Sequence, residues 1–326
     1  MIVQTSEKFI TIIGGSGFVG RHVTRALARR GYRIRVACRR PDLAGHVQPL
    51  GTPGQIMPVQ ANVRFPASLA AACDGAYAVI NLTGVLYSAG AQSFDAVHGF
   101  GAEACAKAAK AAKARLFIQM SALGASATST SDYAKSKAYG ETRARANFPG
   151  AMVLRPSIIF GPEDGFFNRF AALSRFAPAL PLIGGGETRF APVFVGDVAE
   201  AVARLVDRGE ADGKTYELGG PEELSFRQLM DFTLKTIGRK RLLVPVPWAI
   251  AKLQGLVLGL LPKPLLTADQ VKLLKTDNVV SEAARRERRT LEGLGIAASG
   301  IEAIVPSYLY RYRKAGQFTA PKGMPQ

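Results

Sequence analysis

Residues 9–13 read Phe-Ile-Thr-Ile-Ile, a short apolar block that predicts a buried strand. A glycine turn follows, and then a helical pattern over residues 18–30 that stops at Gly31. Further strand signals fall at 33–38, 55–60, 78–82, 116–120 and 152–154, with helical stretches between them, notably 67–73 and the Ala-rich 102–113. This alternation predicts an α/β fold in which a doubly wound parallel sheet carries helices on both faces. Beyond Arg155-Pro156, proline and glycine become frequent and the loops lengthen, at 178–192, 219–224 and 244–247. We therefore expect a sheet domain over residues 1–155 and a smaller C-terminal, substrate-side lobe over 156–316. A helix signal at 196–207 and a strand signal at 214–218 return to the main sheet, so segments near 193–218 complete it. Residues 317–326 read as a flexible tail.

Composition narrows the class. Of the 326 residues, 48% are hydrophobic and 21% charged, which suits a globular chain able to bury a large core. Lys and Arg number 42 against 25 Asp and Glu, a formal net charge of +17, which favours an anionic partner. Cys38, Cys73 and Cys105 have neither paired spacing nor a histidine cluster, so no metal site is expected and a reducing compartment fits best. Met1 to Lys8 lacks an apolar signal core. The apolar run at 248–261 is interrupted by Lys252 and Gln254 and is shorter than the roughly 20 residues a bilayer span needs, so no transmembrane span is expected.

The turn after the first strand reads Gly14-Gly15-Ser16-Gly17-Phe18-Val19-Gly20, a GxxGxxG spacing between strand and helix. Glycines there let the chain turn tightly, let a pyrophosphate approach without a Cβ clash and let helix pack against strand, while the helix N-terminus favours phosphate charge. The pattern therefore points to a Rossmann-type dinucleotide site. At the end of the second strand, where an acidic side chain would bind a free ribose hydroxyl, stand Arg39 and Arg40; guanidinium groups suit a 2′-phosphate, which favours NADPH. Asn62 follows the third strand, and Asn81, Leu82, Thr83 and Gly84 follow the fourth. Ser121 ends the fifth strand, and Tyr133 and Lys137 lie one helical turn apart. A phenol titrates near ~10 and needs a nearby ammonium to exchange protons at working pH. Ser121, Tyr133 and Lys137 are thus the candidate catalytic group. His98 reads as a polar residue at a helix edge.

The glycine turn, Ser121 and Tyr133-x-x-x-Lys137 resemble the extended short-chain dehydrogenases. The longer run from Phe148-Pro149 through Leu154-Arg155-Pro156 and Phe160-Gly161-Pro162-Glu163-Asp164 to Phe167-Asn168-Arg169-Phe170-Ala171 resembles the nucleotide-binding accessory subunits of respiratory complex I. Pro192 to Val198 and Leu266 to Val271 are similar to the same subunits. That resemblance implies a peripheral protein on the quinone-site side of complex I, holding an NADPH outside the electron path. It implies cofactor contacts at Gly14, Ser16, Gly17, Phe18, Val19, Gly20, Arg39, Arg40, Asn62, Leu82, Thr83, Gly84, Ser121, Tyr133, Lys137, Pro156 and Ile158, and frees Ser121 of chemical duty.

The expected function is then a non-catalytic NADPH-holding accessory subunit. Its partners would be the other subunits of complex I and, by peripheral contact, an anionic membrane surface, on the cytoplasmic side of a bacterial inner membrane or the matrix side of a mitochondrial one. The apolar helix near 248–261, with Trp248 and Lys252, suits such an interface and equally suits a buried lobe helix. The basic clusters Arg239-Lys240-Arg241 and Arg285-Arg286-x-Arg288-Arg289 suit anionic lipid or an acidic subunit. No pattern points to nucleic acid. The alternatives are a soluble NADP-dependent short-chain reductase or epimerase using Ser121, Tyr133 and Lys137, and a redox-sensing regulator that binds NADP.

Overall fold

The structure is a computed structural model that describes residues 6–261, 264, 266–314 and 316. The tail at 317–326, like Pro262 and Lys263, lies outside the described residues. The chain opens with β1 (Phe9–Ile13), α1 (Phe18–Ala28), β2 (Arg33–Cys38), β3 (Ile56–Gln60), α2 (Pro66–Cys73) and β4 (Ala76–Asn81). It continues with α3 (Phe100–Ala111), β5 (Leu116–Met120), α4 (Asp132–Asn147) and β6 (Met152–Pro156). Next come β7 (Ile159–Phe160), α5 (Phe167–Leu173), β8 (Ala179–Ile183), β9 (Arg189–Phe190), β10 (Val193–Phe194), α6 (Val195–Arg208) and β11 (Thr215–Leu218). The remaining larger elements are β12 (Leu224–Ser225), α7 (Phe226–Thr236), β13 (Leu242–Val246), α8 (Trp248–Leu258) and α9 (Ala268–Leu273).

Seven strands form one sheet in the order β11-β6-β5-β4-β1-β2-β3, every neighbouring pair parallel. The α/β, doubly wound reading of the sequence is borne out. Central strands of such a sheet are covered on both faces, which is why they read as unbroken apolar runs rather than alternating ones. Ile10, Ile12, Ile80, Leu116, Phe117 and Ile118 are accordingly shut off from solvent. The order reverses between β1 and β4, so the turns leaving those two strands border the crevice where such sheets take ligands.

The described residues divide into two compact units. The first runs to Pro156 and adds Gly196–Leu218 and Ser281–Ile296. Its last segment is tied in by β11: the Glu217 carboxylate accepts from the Ser281 N–H at 2.8 Å, and the Glu217 N–H donates to the Arg289 carbonyl at 2.9 Å. The second comprises Ser157–Val195, Gly219–Val280 and the residues from Ala297 onward. Its core is a phenylalanine cluster built on Phe160, Phe167, Phe190 and Phe226. The Asp164 carboxylate accepts from the buried Tyr308 hydroxyl at 2.6 Å. There α8 buries only Ala251 and Gly255 and exposes Ile250, Leu253, Leu256 and Val257. Trp248 packs over Gly184, where an added Cβ would sit 2.0 Å from its ring, so the indole is a packing residue of this unit. No helix among the described residues is long and apolar enough to cross a membrane.

Candidate nucleotide-binding site

The glycine turn is fixed from both sides. The Gly14 N–H donates to the Ala37 carbonyl at 2.8 Å, and the Leu82 N–H donates to the Ile13 carbonyl at 2.9 Å, joining the turns after β1 and β4. The glycines have different duties. Gly14 sits at φ +81°, a left-handed conformation. At Gly20 an added Cβ would lie 2.5 Å from the Gly14 carbonyl oxygen, so that glycine is required by close packing. Gly17 has φ −78°, which any residue adopts, and its Cβ would meet only the Gly14 oxygen at 3.4 Å. Neither backbone strain nor a close protein neighbour asks for glycine there. Gly17 is also the N-cap of α1, without a side-chain cap and without an acidic residue in the first turn. Contrast α4, whose first turn is capped by the Ser131 hydroxyl. The amides of Phe18 and Val19 thus open a helix whose N-terminal dipole suits an anion. Ser16, half-buried, lies between them and Cys38 at the end of β2, with which its hydroxyl interacts.

Arg39 and Arg40 follow directly. Both are exposed; Arg39 makes no hydrogen bond or ion pair among the described residues, whereas Arg40 is held by Asp42 at 2.6 Å. That pair is open to solvent, where ion pairs are weak and a phosphate dianion competes readily. Asn62 is half-buried; its side-chain oxygen accepts from the Arg64 N–H at 3.1 Å, and its backbone N–H donates to the Ser68 hydroxyl at 3.0 Å.

On the β4 side, buried Asn81 organises the loop. Its side-chain oxygen accepts from the Thr83 N–H at 3.1 Å and hydroxyl at 2.6 Å, and its amide donates to Gln119 at 2.9 Å. A Cβ on Gly84 would stand 3.2 Å from the Lys137 ammonium nitrogen. Lys137 in turn lies 5.8 Å from the centre of the Tyr133 ring and donates to the Met120 carbonyl at 3.5 Å. Gly14, Leu82, Thr83, Gly84, Tyr133 and Lys137 are thereby brought together. Pro156 is buried at the end of β6 and accepts from the Leu123 N–H at 3.0 Å; Ile158 belongs to the second unit.

Three features differ from the sequence reading. First, Ser121 is buried and its hydroxyl donates to Glu141, one turn beyond Lys137. Glu141 is also gripped by Arg155, at 2.9 and 2.7 Å. A hydrogen bond to a charged acceptor contributes ~1.5–3 kcal/mol, more than a neutral substrate oxygen returns, so Ser121 stays turned toward Glu141. Second, burial pushes the Tyr133 phenol up to about 12 and the Lys137 ammonium down to about 8, the Glu141 charge opposing the latter. Both groups are thus pushed toward their neutral forms. Third, His98 is not at a helix edge. It is 2% exposed, inside a π-helical turn (Asp95–Gly99) that leads into α3. Its Nε2 accepts from the Val85 N–H at 3.0 Å, so Nδ1 carries the proton and donates to Ser136 at 2.9 Å. Burial, aided by the Lys137 charge, holds its pKa down to about 3. Phe94 stacks on it at 5.5 Å and Tyr133 meets it edge-on at 5.5 Å.

Residues 10–219 match the family model described as NAD dependent epimerase/dehydratase family. The chain belongs to the NAD dependent epimerase/dehydratase family. Among this family member's relatives is "NADH dehydrogenase [ubiquinone] 1 alpha subcomplex subunit 9, mitochondrial" of Arabidopsis thaliana. It is 34% identical over 318 residues, a match that spans 94% of this chain and 78% of that protein. The resemblance to the complex I subunits carried by the Phe-Pro to Phe-Ala run is thereby borne out. A "Ceramide reductase" of Caulobacter vibrioides is 37% identical over 197 residues, 60% of this chain and 59% of that protein. Among solved folds, the NADPH-dependent quinone oxidoreductase QOR2 of Escherichia coli complexed with NADPH superposes with a TM-score of 0.73. That likeness, at 20% identity, spans 92% of this chain and 99% of that one and is a likeness of fold.

Glu141 escaped the sequence reading, whereas Asn81 and Arg155 stood within quoted motifs without the roles they have here. The spacing Lys137 to Glu141 put a carboxylate one helical turn beyond the lysine, and that signal could have found it. Cys73 and Cys105 are buried, and burial pushes both thiols up, Cys73 to about 12. They are core residues with no role in this epimerase/dehydratase site.

Proposed function

We propose that this chain is an NADPH-holding, non-catalytic accessory subunit of a respiratory NADH:quinone oxidoreductase, with a stabilising role near its quinone-site side. The nucleotide would be held by Gly14, Ser16, Gly17, Phe18, Val19 and Gly20 at its pyrophosphate and by Arg39, joined by Arg40, at its 2′-phosphate. Asn62 would face the adenine, and Leu82, Thr83, Gly84, Tyr133, Lys137 and Pro156 the nicotinamide half. When bound, the nicotinamide supplies hydride-transfer chemistry. This chain's own residues orient and retain it. The observation that supports the non-catalytic reading is the buried Ser121 hydroxyl, committed to Glu141, which Arg155 also holds.

The assembly rests on the subunit 9 relatives. Peripheral contact with an anionic membrane rests on the exposed apolar side of α8 beside Lys252 and on the net charge of +17. The side would be cytoplasmic in a bacterium and matrix in a mitochondrion. The test is native electrophoresis of membranes solubilised in mild detergent. The chain is expected to comigrate with NADH-oxidising activity; migration solely as a small free protein defeats the assignment.

A second reading, a soluble NADP-dependent short-chain reductase or epimerase, is favoured by the retained Tyr133–Lys137 pair and by the ceramide reductase relative. On that reading Tyr133→Phe abolishes NADPH oxidation by a carbonyl substrate.

A further inference from the structure

The turn at Asp95–Gly99 is wound as a π-helix, a local departure that recurs at functional sites. Helix α4 lies against it at contact distance: a Cβ on Gly140 would overlap the His98 carbonyl oxygen, and one on Gly99 would stand 2.8 Å from the Tyr139 ring. The buried His98 ring is thereby set between two elements, the loop after β4 and the first turns of α4. The first carries Leu82, Thr83 and Gly84, the second Tyr133 and Lys137. Each hydrogen along this bridge has a fixed direction. The Val85 N–H can only donate, so Nε2 accepts, at 3.0 Å. The Ser136 hydroxyl donates to the Tyr133 carbonyl at 2.7 Å, so it accepts from the Nδ1–H, at 2.9 Å. Both ends of the bridge require the same neutral tautomer. Burial, which holds the imidazole down to about 3, keeps the ring neutral.

We propose that His98 is a positioning residue of the nucleotide site, tying the loop after β4 to the start of α4 so that the nicotinamide half of a dinucleotide meets contacts already in place. This rests on the nucleotide-holding reading above and adds to it a residue that acts through the loop. Asn81 fixes that loop as far as Thr83. From Gly84 to Ser88 the chain is mostly exposed, Leu86 to 65%, so little packing holds it, and the Val85 bond to His98 ties it to buried structure. At Gly84 a side chain could not take over: a Cβ there would stand 3.2 Å from the Lys137 nitrogen and 3.6 Å from His98 Nε2. The His98 ring is itself held by Phe94, stacked on it at 5.5 Å, and by Tyr133, edge-on at 5.5 Å. A loop that keeps its binding arrangement only part of the time lowers affinity by that fraction. Loosening the tie therefore weakens the half of the nucleotide that touches the loop and spares the adenine half.

The experiment takes the full chain as wild type, His98→Ala and His98→Gln, and reads two quantities. The first needs no nucleotide: exchange of the Val85 amide hydrogen with solvent, followed by nuclear magnetic resonance. It should quicken by about tenfold in His98→Ala, the scale of one lost hydrogen bond, and stay near wild type in His98→Gln, whose amide offers the same acceptor and donor. The second is the dissociation constant, by calorimetry, of NADPH and of adenosine 2′,5′-bisphosphate, which keeps the 2′-phosphate and lacks the nicotinamide. His98→Ala should weaken NADPH about tenfold and leave the bisphosphate within about twofold, and His98→Gln should recover most of the loss. Equal losses for both ligands, unchanged NADPH affinity, no recovery in His98→Gln, or a Val85 amide that exchanges alike in wild type and His98→Ala overturns the role of His98. Wild-type protein that binds neither ligand while its Val85 amide is protected overturns instead the reading of the site on which that role rests.

Discussion

Single residues separate the two duties of glycine in the turn. Gly17→Ala adds a methyl group into space no protein atom claims, so its thermal midpoint should match wild type while nucleotide affinity falls tenfold or more. Gly20→Ala forces backbone apart at 2.5 Å and should instead unfold earlier, by ~1–3 kcal/mol as over-packing does. Binding and melting measurements on the pair check both halves. Arg39→Ala should weaken NADPH about tenfold or more and leave NADH nearly unchanged, because a charge-assisted bond of ~1.5–3 kcal/mol to the 2′-phosphate goes. Gly17 and Gly20 were legible because the turn is encoded in seven consecutive residues. His98 was not, because its burial depends on Val85 and Ser136, thirteen and thirty-eight residues away. That burial has a sign. With the folded pKa near 3 and the ordinary value 6.5, the unfolded chain binds the extra proton between those limits. The stability tied to neutral His98 is full above pH 6.5 and is lost as pH falls toward 3, at about 1.4 kcal/mol per pH unit. Melting curves from pH 7 to 4 should fall less steeply for His98→Asn than for wild type.

Among elements, α8 is the one whose environment the sequence left open between buried and interfacial. Its composition is apolar nearly all round, so periodicity could not choose. The structure answers by geometry: small residues Ala251 and Gly255 face the second unit's core, Gly255 pressing on the backbone of Ala268, while the bulky leucines point outward. Leu253→Ser with Leu256→Ser should therefore leave the thermal midpoint almost unchanged, as surface substitutions do within about 0.5 kcal/mol. The same double variant should lose flotation with vesicles of anionic phospholipid; a large drop in melting temperature would show that the face is packed. The basic clusters are less free than their sequence implies. Arg239 donates to the Tyr312 carbonyl at 3.1 Å and Arg241 to the Ser174 carbonyl at 2.8 Å, so Lys240 is the exposed charge of that triplet. Short polar segments such as Ser281–Ile296 carry too little periodicity to announce that they return to the first unit.

At the scale of the whole molecule, the parallel sheet order follows from alternation of strand and helix signals, and the site follows from where that order reverses. A net charge of +17 predicts that contact with anionic membranes or acidic partners weakens as salt rises, since the screening length is about 10 Å at 0.1 M. The Ser121 hydroxyl donates to Glu141, which also accepts from Arg155, whereas an added Cβ at Gly17 would meet only the Gly14 oxygen. The central claim is that this chain keeps a phosphorylated dinucleotide on that turn. The most direct measurement is to purify the protein without added nucleotide, release what it carries by heat, and identify and count it by chromatography and mass. Close to one NADPH or NADP+ per chain is the expected result; protein that emerges empty and takes up neither NADPH nor NADH when they are added contradicts it.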